Sequence, residues 1–345
     1  MMISQQSQSL DPFYRDPRDI NCPADIPAPR GRASVFAKQS IGFWSFDAGE
    51  AHPGIPLDEL RGFDIETLEG WLSCILGVKC GQCYVPKLQQ RQGWTTDSFW
   101  FQQYGKWLMF KPGLEEAVRR ELVRKKSQRW KLVYMSVKTE PLLRIPDCQK
   151  VTCSILESFV KARRPVFLFV QTRMDPTRHQ AYELMRELGR QRRIAFSISI
   201  STDDRKAMEG IETPVHSPEE RLAFMRQLKE DGFFVSAAAA PLLPFTDKFA
   251  ERIVEAAHHA SVQEAHPPSC SGSATKKDVY EVILGTQRLY GYNSVGDLER
   301  KLVQQLSALA PEFTWGIANA GFVGSFYAAL NHYGLWSEYK KTLTK

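Results

Sequence analysis

Three cysteines lie close together in the segment WLSCILGVKCGQCYVP, which covers residues 71–86. Cys74, Cys80 and Cys83 fall within ten residues, and three thiols cannot all be paired with one another in disulfides. A short loop can direct three Sγ atoms onto one iron–sulfur cube, which ordinarily takes four cysteines, one for each iron. Three ligands would leave one iron open to a substrate or cosubstrate. The spacing therefore predicts an iron–sulfur cluster with an open coordination position.

Two other interpretations of this segment stay open. A zinc site is one, but the sequence has no second Cys-x-x-Cys pair and no His-x(3–5)-His pair to complete it. Structural cysteines are the other, because free cysteine often behaves as a small buried hydrophobic residue.

Composition limits the class of protein. The 345 residues are 43% hydrophobic and 24% charged, as in ordinary globular proteins. No apolar run approaches the ~20 residues that a membrane helix needs, and the first residues show no secretory signal. Seven cysteines without framework spacing favour a reducing compartment. We therefore expect a cytoplasmic protein without a membrane partner.

The net charge of +6 is concentrated in two basic stretches, residues 119–129 and 186–193. Both have apolar residues at helical spacing, which favours solvated helix faces over a nucleic-acid surface. A nucleic-acid partner is possible on this evidence but not favoured.

Apolar runs and helical patterns alternate from residue 131 onward, at a spacing of roughly 30 residues that is typical of βαβ units and a parallel sheet. About five or six units fit in the chain, fewer than the eight of a closed barrel. Ligands of such sheets gather beyond the carboxyl ends of the strands, so polar residues there are the candidates for a site. Strands are predicted at 131–137, 165–172, 194–202 and 233–244, and helices at 147–161, 176–191, 217–231 and 247–260.

The remaining segments differ in composition. Residues 1–61 are rich in Pro, Asp and Arg and are predicted to form an extended arm in front of the barrel domain, 62–260. Residues 261–275 are predicted to be a linker, and 276–345 a C-terminal helical cap.

The order of the cysteine loop, SVKTEP, FVQTR, FSISISTD and the block SPEERLAFMRQLKEDGFFVSAAAAPLLP resembles the radical S-adenosylmethionine (SAM) superfamily, and within it the spore photoproduct lyase-like branch. The resemblance covers about residues 62–247. It implies an α/β fold, a partial (β/α)6 TIM-like barrel. It also implies a [4Fe–4S] cluster on Cys74, Cys80 and Cys83 that binds SAM, and an electron donor such as flavodoxin or ferredoxin.

The resemblance also implies positions for SAM. Thr139 and Glu140 would accept the methionine amino group, and Arg173 would lie near the methionine carboxylate. Ser197 and Ser199 would reach the ribose or the carboxylate. Each of these residues is also explained as a solvated polar group at a strand end.

The sequence departs from the family pattern in three ways. Five residues separate Cys74 from Cys80, where the family has three. Gln82 replaces the aromatic residue that precedes the last cysteine and often packs on the adenine, and Tyr84 follows instead. No cysteine lies between Cys83 and Cys148, whereas the repair lyases carry a hydrogen-donor cysteine there, which argues against thymine-dimer reversal.

The leading hypothesis is a radical SAM enzyme that forms a carbon radical, most often 5′-deoxyadenosyl, and acts on an unidentified small molecule. One alternative is cleavage to a 3-amino-3-carboxypropyl radical, and another is a nucleic-acid repair lyase. A non-catalytic protein stabilised by zinc or thiols is a third. The sequence identifies no catalytic residue beyond the predicted cofactor ligands.

Overall fold

The computed structural model describes residues 37–40, 50–60, 64–72, 83, 109–110, 113–124, 129–136, 139–212, 215–265 and 277–343. The strands in these ranges are β1 Ala37–Ser40, β2 Asp64–Leu68, β3 Trp71–Leu72, β4 Met109–Phe110, β5 Lys131–Met135, β6 Val166–Thr172, β7 Ile194–Ser199, β8 Phe234–Ala239, β9 His259–Val262 and β10 Thr314–Ile317. The helices are α1 Leu57–Leu60, α2 Leu114–Arg119 (continued by a π-helical turn, Arg120–Arg124), α3 Pro146–Val160, α4 Tyr182–Arg190, α5 Arg205–Met208, α6 Pro218–Glu230, α7 Phe249–Ala256, α8 Lys277–Leu289, α9 Asp297–Leu309, α10 Ala318–His332 and α11 Trp336–Leu343.

Eight of these strands form one sheet in the order β1-β2-β5-β6-β7-β8-β9-β10. β1 is antiparallel to β2, and the seven strands from β2 to β10 in this order are parallel. Within the described sheet, the edge strands β1 and β10 are not paired with each other, so the sheet is open. The predicted α/β fold with an incomplete barrel is confirmed. None of the helices that the structure describes is long and apolar enough to span a bilayer.

The two faces of the sheet bury different sets of side chains, because successive residues of a strand point to opposite faces. We call the face that packs against α10 the inner face. Aromatic rings dominate it, as Tyr134 and Phe169 pack against Phe326 of α10 and Phe234 packs against Phe169. The other, outer face carries aliphatic residues such as Val133 and Leu168, which pack in the core formed with α3, α4, α6, α7 and α9.

The strands and helices predicted from residue 131 to residue 260 occur with boundaries shifted by a few residues. The predicted N-cap of α6 is a capping box, in which Ser217 Oγ accepts from the Glu220 amide and Glu220 accepts from the Ser217 amide. Gly232 ends this helix with φ +84°. These local signals were therefore sufficient to define the elements.

The C-terminal region differs from the expected linker and helical cap. The boundary predicted at residue 261 falls inside β9, and β10 extends the same sheet beside it. The segment after β10 then folds back as α10 onto the inner face. The turn from β10 into α10 brings the backbones of Gly316 and Gly321 into contact. A larger residue does not fit there, because a Cβ added at Gly316 would lie 2.6 Å from Gly321 Cα. Since β10 is only four residues long, its pattern did not stand out in the sequence.

We expect Gly321→Ala to destabilise the protein, because the new Cβ would lie 2.2 Å from the Gly316 carbonyl oxygen. Overpacking against a backbone atom typically costs ~1–3 kcal/mol. The matched control is Gly285→Ala in α8, where nothing lies within 4 Å of the added Cβ and alanine favours the helix. Urea unfolding of both variants measures the difference. A Gly321→Ala protein as stable as the control would contradict the described packing of α10 on the sheet.

Candidate functional site

The cysteine segment follows the first parallel strand. Cys74 and Cys80, with Gln82 and Tyr84, lie outside the described residues. Cys83 is described, is half-buried and packs against the outer-face core. Within the described ranges, no group of three His, Cys, Asp or Glu side chains is placed to hold a metal ion. The predicted cluster therefore stays a prediction, carried by a segment that begins just after the carboxyl end of β2.

Glu140 lies in the loop after β5, and its carboxylate is hydrogen-bonded to residues at the carboxyl end of β6. Its side chain is 4% exposed. Oε1 accepts from the Leu142 amide at 3.0 Å and from the Thr172 hydroxyl at 2.5 Å, and Oε2 accepts from the Arg173 amide at 2.9 Å. Burial raises the pKa of Glu140, and the three hydrogen bonds oppose that rise. In this arrangement Glu140 fixes the backbone at the start of the β6–α4 loop.

Arg173 extends from that loop to a buried carboxylate. One guanidinium nitrogen lies 3.1 Å from Glu212 Oε1, and the same oxygen pairs with Arg221. Ser201 donates to the other oxygen at 3.2 Å. Burial alone would raise the pKa of Glu212, but the charges of Arg173 and Arg221 lower it to about 2. Two guanidinium groups thus share one carboxylate, and Arg173 keeps 20% of its side chain exposed.

The carboxyl half of the inner face is polar. Gln171, Ser197 and Ser236 are register partners on the neighbouring strands β6, β7 and β8. The Tyr134 hydroxyl donates to Gln171, and the Gln171 amide donates to Ser199 Oγ at 3.2 Å. Burial raises the pKa of Tyr134 well above its ordinary value, and a hydrogen bond with Ser197 opposes the rise. Ser197 and Ser199 therefore belong to one buried network on this face, as their alternation in FSISIS indicated.

A buried serine extends this polar face. Ser236 is fully buried, and its Oγ has no hydrogen-bond partner among the residues that the structure describes. A buried hydroxyl without a partner is unusual and costs free energy.

Glu69 was not among the site residues predicted from the sequence. This residue directly follows β2 and is 7% exposed. Thr139 Oγ1 donates to Glu69 Oε2 at 2.7 Å and also lies 3.2 Å from Ser136 Oγ. The charge of Glu69 is near enough to Tyr134 to contribute to the raised pKa of that tyrosine. This position has little signal in the sequence, because the apolar residues of DIETLE are three apart and do not alternate as in a half-buried strand.

The basic stretches form intrahelical ion pairs. Arg119 pairs with Glu116 in α2, and in α4 Arg190 pairs with Glu187. All four of these side chains are well exposed. This is the solvated-face arrangement that the sequence favoured, and such pairs contribute little to stability.

No known family model matches the sequence, and no curated protein is significantly similar to it. Among solved structures, the chain is similar to a double mutant of spore photoproduct lyase with bound AdoMet and dinucleoside spore photoproduct. That match has 12% sequence identity, covers 72% of this chain and 74% of the other, and has a TM-score of 0.45. A single mutant of the same lyase matches at 12% identity over the same shares, with a TM-score of 0.47. The resemblance predicted from the sequence is found again here; it is a likeness of fold and assigns no chemistry to this chain.

Proposed function

We propose that this protein is a radical SAM enzyme, in which Cys74, Cys80 and Cys83 hold a [4Fe–4S] cluster that binds SAM. One observation carries the proposal. The three-cysteine segment follows a parallel strand at the same edge of the sheet where the polar inner-face residues and Arg173 lie. Ligands of parallel sheets bind at this edge.

The charged and hydroxyl side chains at this edge are complementary to the functional groups of SAM. The cosubstrate offers an ammonium group, a carboxylate and ribose hydroxyls. The chain offers the carboxylate of Glu69, the cation of Arg173 and the hydroxyls of Ser197 and Ser199.

When bound and reduced, such a cluster supplies one electron to the sulfonium, which breaks a C–S bond and yields a carbon radical. The protein residues bind and orient. Arg173 would neutralise the cosubstrate carboxylate, and Glu212 holds the Arg173 guanidinium in place. Glu140 fixes the loop backbone from which Arg173 projects. The aromatic packing of Phe169 with Phe326 keeps water out of the amino half of the inner face.

Anaerobic reconstitution tests this proposal. The expected result is about four irons and four sulfides per chain, with release of 5′-deoxyadenosine and methionine on reduction with SAM. Methylthioadenosine as the product would instead indicate a 3-amino-3-carboxypropyl radical. Zinc without iron or sulfide in anaerobically purified protein would reject the enzyme and favour a zinc-stabilised binding protein.

The substrate class is proposed to be a small molecule, and an electron donor of the flavodoxin or ferredoxin type is expected. The exposed ion pairs described on α2 and α4 are those of solvated helix faces and do not by themselves favour nucleic acid. Salt-sensitive binding of DNA or RNA at low ionic strength would revive the repair-type alternative.

A further inference from the structure

Three helices end side by side at the amino end of the sheet. α4 ends just before β7, and α6 ends just before β8. The end of α10 is held against the same two strands, because the Tyr333 hydroxyl accepts from the Phe234 amide at 2.8 Å and donates to the Ile194 carbonyl at 3.0 Å. A cleft of about 530 Å³ lies between the three helix ends. A cleft of this volume has room for a small molecule.

The three helix ends share one backbone geometry. Each passes through a residue with a positive φ, which is Arg192 (+56°) after α4, Gly232 (+84°) after α6 and Gly334 (+72°) after α10. Each of these residues donates its amide to the carbonyl of the residue three positions earlier. Glycine is the usual residue at such a helix end, because a side chain disfavours the left-handed backbone. Arg192 is therefore the exception among three equivalent turns.

Polar side chains line the cleft. They are those of Arg190, Arg192, Asn331 and His332. One guanidinium nitrogen of Arg190 lies 2.9 Å from Glu187 Oε2. Arg192 is exposed and has no ion pair or side-chain hydrogen bond with any residue that the structure describes. Two guanidinium groups thus border the cleft, and the charge of the second is not matched by a described carboxylate.

The helix dipole does not account for Arg192. The carboxyl end of a helix carries partial negative charge, which favours a basic residue in the last turn. Arg190 and Lys229 already provide that residue in α4 and α6. The residue that the left-handed backbone favours at position 192 is glycine, as the turns after α6 and α10 have it. A guanidinium group at this position therefore calls for a second reason.

We propose that the cleft bordered by Arg190, Arg192 and His332 binds the phosphate group of a small molecule. Guanidinium groups bind phosphate oxygens through paired N–H donors, which makes arginine well suited to phosphate. The side chains of Asn331 and His332 add further N–H groups. The cleft is pre-formed, because the hydroxyl of Tyr333 fixes the end of α10 to the strands that follow α4 and α6.

This site is separate from the proposed cosubstrate edge. The cleft lies at the amino ends of β7 and β8, whereas the cysteine segment and Arg173 follow the carboxyl ends of their strands. β7 has six residues, so the two ends of the sheet are ~20 Å apart. The inference therefore goes beyond the proposed function and does not depend on it.

Ribose 5-phosphate and ribose, which differ only in the phosphate group, test the site by calorimetric titration of the full-length protein. We expect the wild type to bind ribose 5-phosphate and not ribose. Arg192→Gly should raise the dissociation constant of ribose 5-phosphate by about tenfold or more, because it removes a charged contact. The same variant should unfold in urea at a midpoint equal to or above that of the wild type, because glycine suits the left-handed turn. A merely structural arginine would not separate these two readouts.

Two further variants complete the design. Arg186→Gln removes a charge from the same helix, where Arg186 pairs with Glu183 and does not line the cleft, so binding should not change. Arg190→Gln should weaken the binding of ribose 5-phosphate and provides the test if Arg192→Gly does not fold.

Three results would overturn the proposal. One is wild-type protein that binds neither ribose 5-phosphate nor inorganic phosphate at millimolar concentration. Another is full affinity for ribose 5-phosphate in both Arg190→Gln and Arg192→Gly. The third is an equal loss of affinity in Arg186→Gln and Arg192→Gly, which would mean that the basic stretch 186–193 attracts anions as a whole.

Discussion

Cys80→Ala is expected to remove both the iron–sulfur absorption of the reconstituted protein and its cleavage of SAM. The cluster needs a thiolate for each protein-bound iron, and Cys80 is the middle ligand of the three. With two cysteines left, the cube has lost one of its three protein anchors. Iron and sulfide analysis, visible absorption and the amount of nucleoside released measure the effect. We expect the nucleoside to fall to the level of a blank without protein.

The control for this variant is Cys153→Ala. Cys153 lies in α3, is half-buried and is contacted by the Gln180 side-chain amide at 3.4 Å, so it belongs to the packing of the outer helices. Its replacement should leave iron content and SAM cleavage unchanged. Full iron content and full turnover in Cys80→Ala would show that the three-cysteine segment is not the cluster site.

The regular part of the fold could be predicted because its signals are local. β6 opens with the continuous apolar run VFLFV, as expected for a parallel strand buried on both faces, and Ser217 with Glu220 forms the capping box that starts α6. β2 was not recognised as a strand, because the apolar residues of DIETL, Ile65 and Leu68, are three positions apart and do not show the period of two that marks a strand. Glu69 was missed together with the strand that positions it.

The hydrogen bonds of Glu140 could not be predicted, for a different reason. The sequence places this residue at a strand end, and that placement is correct. Its hydrogen-bond donors, however, include Thr172 and Arg173, which are 32 and 33 positions further along the chain. Whether a strand-end carboxylate faces a ligand or the backbone of the next loop depends on such distant partners. The same holds for Glu212, whose partner Arg173 is supplied by the loop after the preceding strand.

Glu212→Gln is expected to destabilise the folded protein by ~3–5 kcal/mol, the usual cost of removing one partner of a buried ion pair. Glu212 and Arg221 are both almost completely buried, so the substitution leaves an uncompensated guanidinium group in the interior. Equilibrium unfolding in urea measures the loss. The matched control is Glu219→Gln, which breaks an exposed pair with Arg205 and should change stability by less than ~0.5 kcal/mol. Equal stability of the two variants would contradict the buried pairing.

The same pair predicts how stability depends on pH. The pKa of Glu212 is lowered from 4.5 to about 2 on folding, so its ionised form stabilises the folded state. This contribution is fully present above pH ~4.5 and is lost as the pH falls toward 2, and a shift of this size corresponds to ~3 kcal/mol. Glu212→Gln has no carboxylate to protonate, so the stability difference between it and the wild type should shrink over this pH range. A difference that stays constant from pH 6 to pH 3 would mean that Glu212 does not ionise with a lowered pKa. Because Arg173 shares this carboxylate, the same protonation would also release the guanidinium group proposed to bind the cosubstrate.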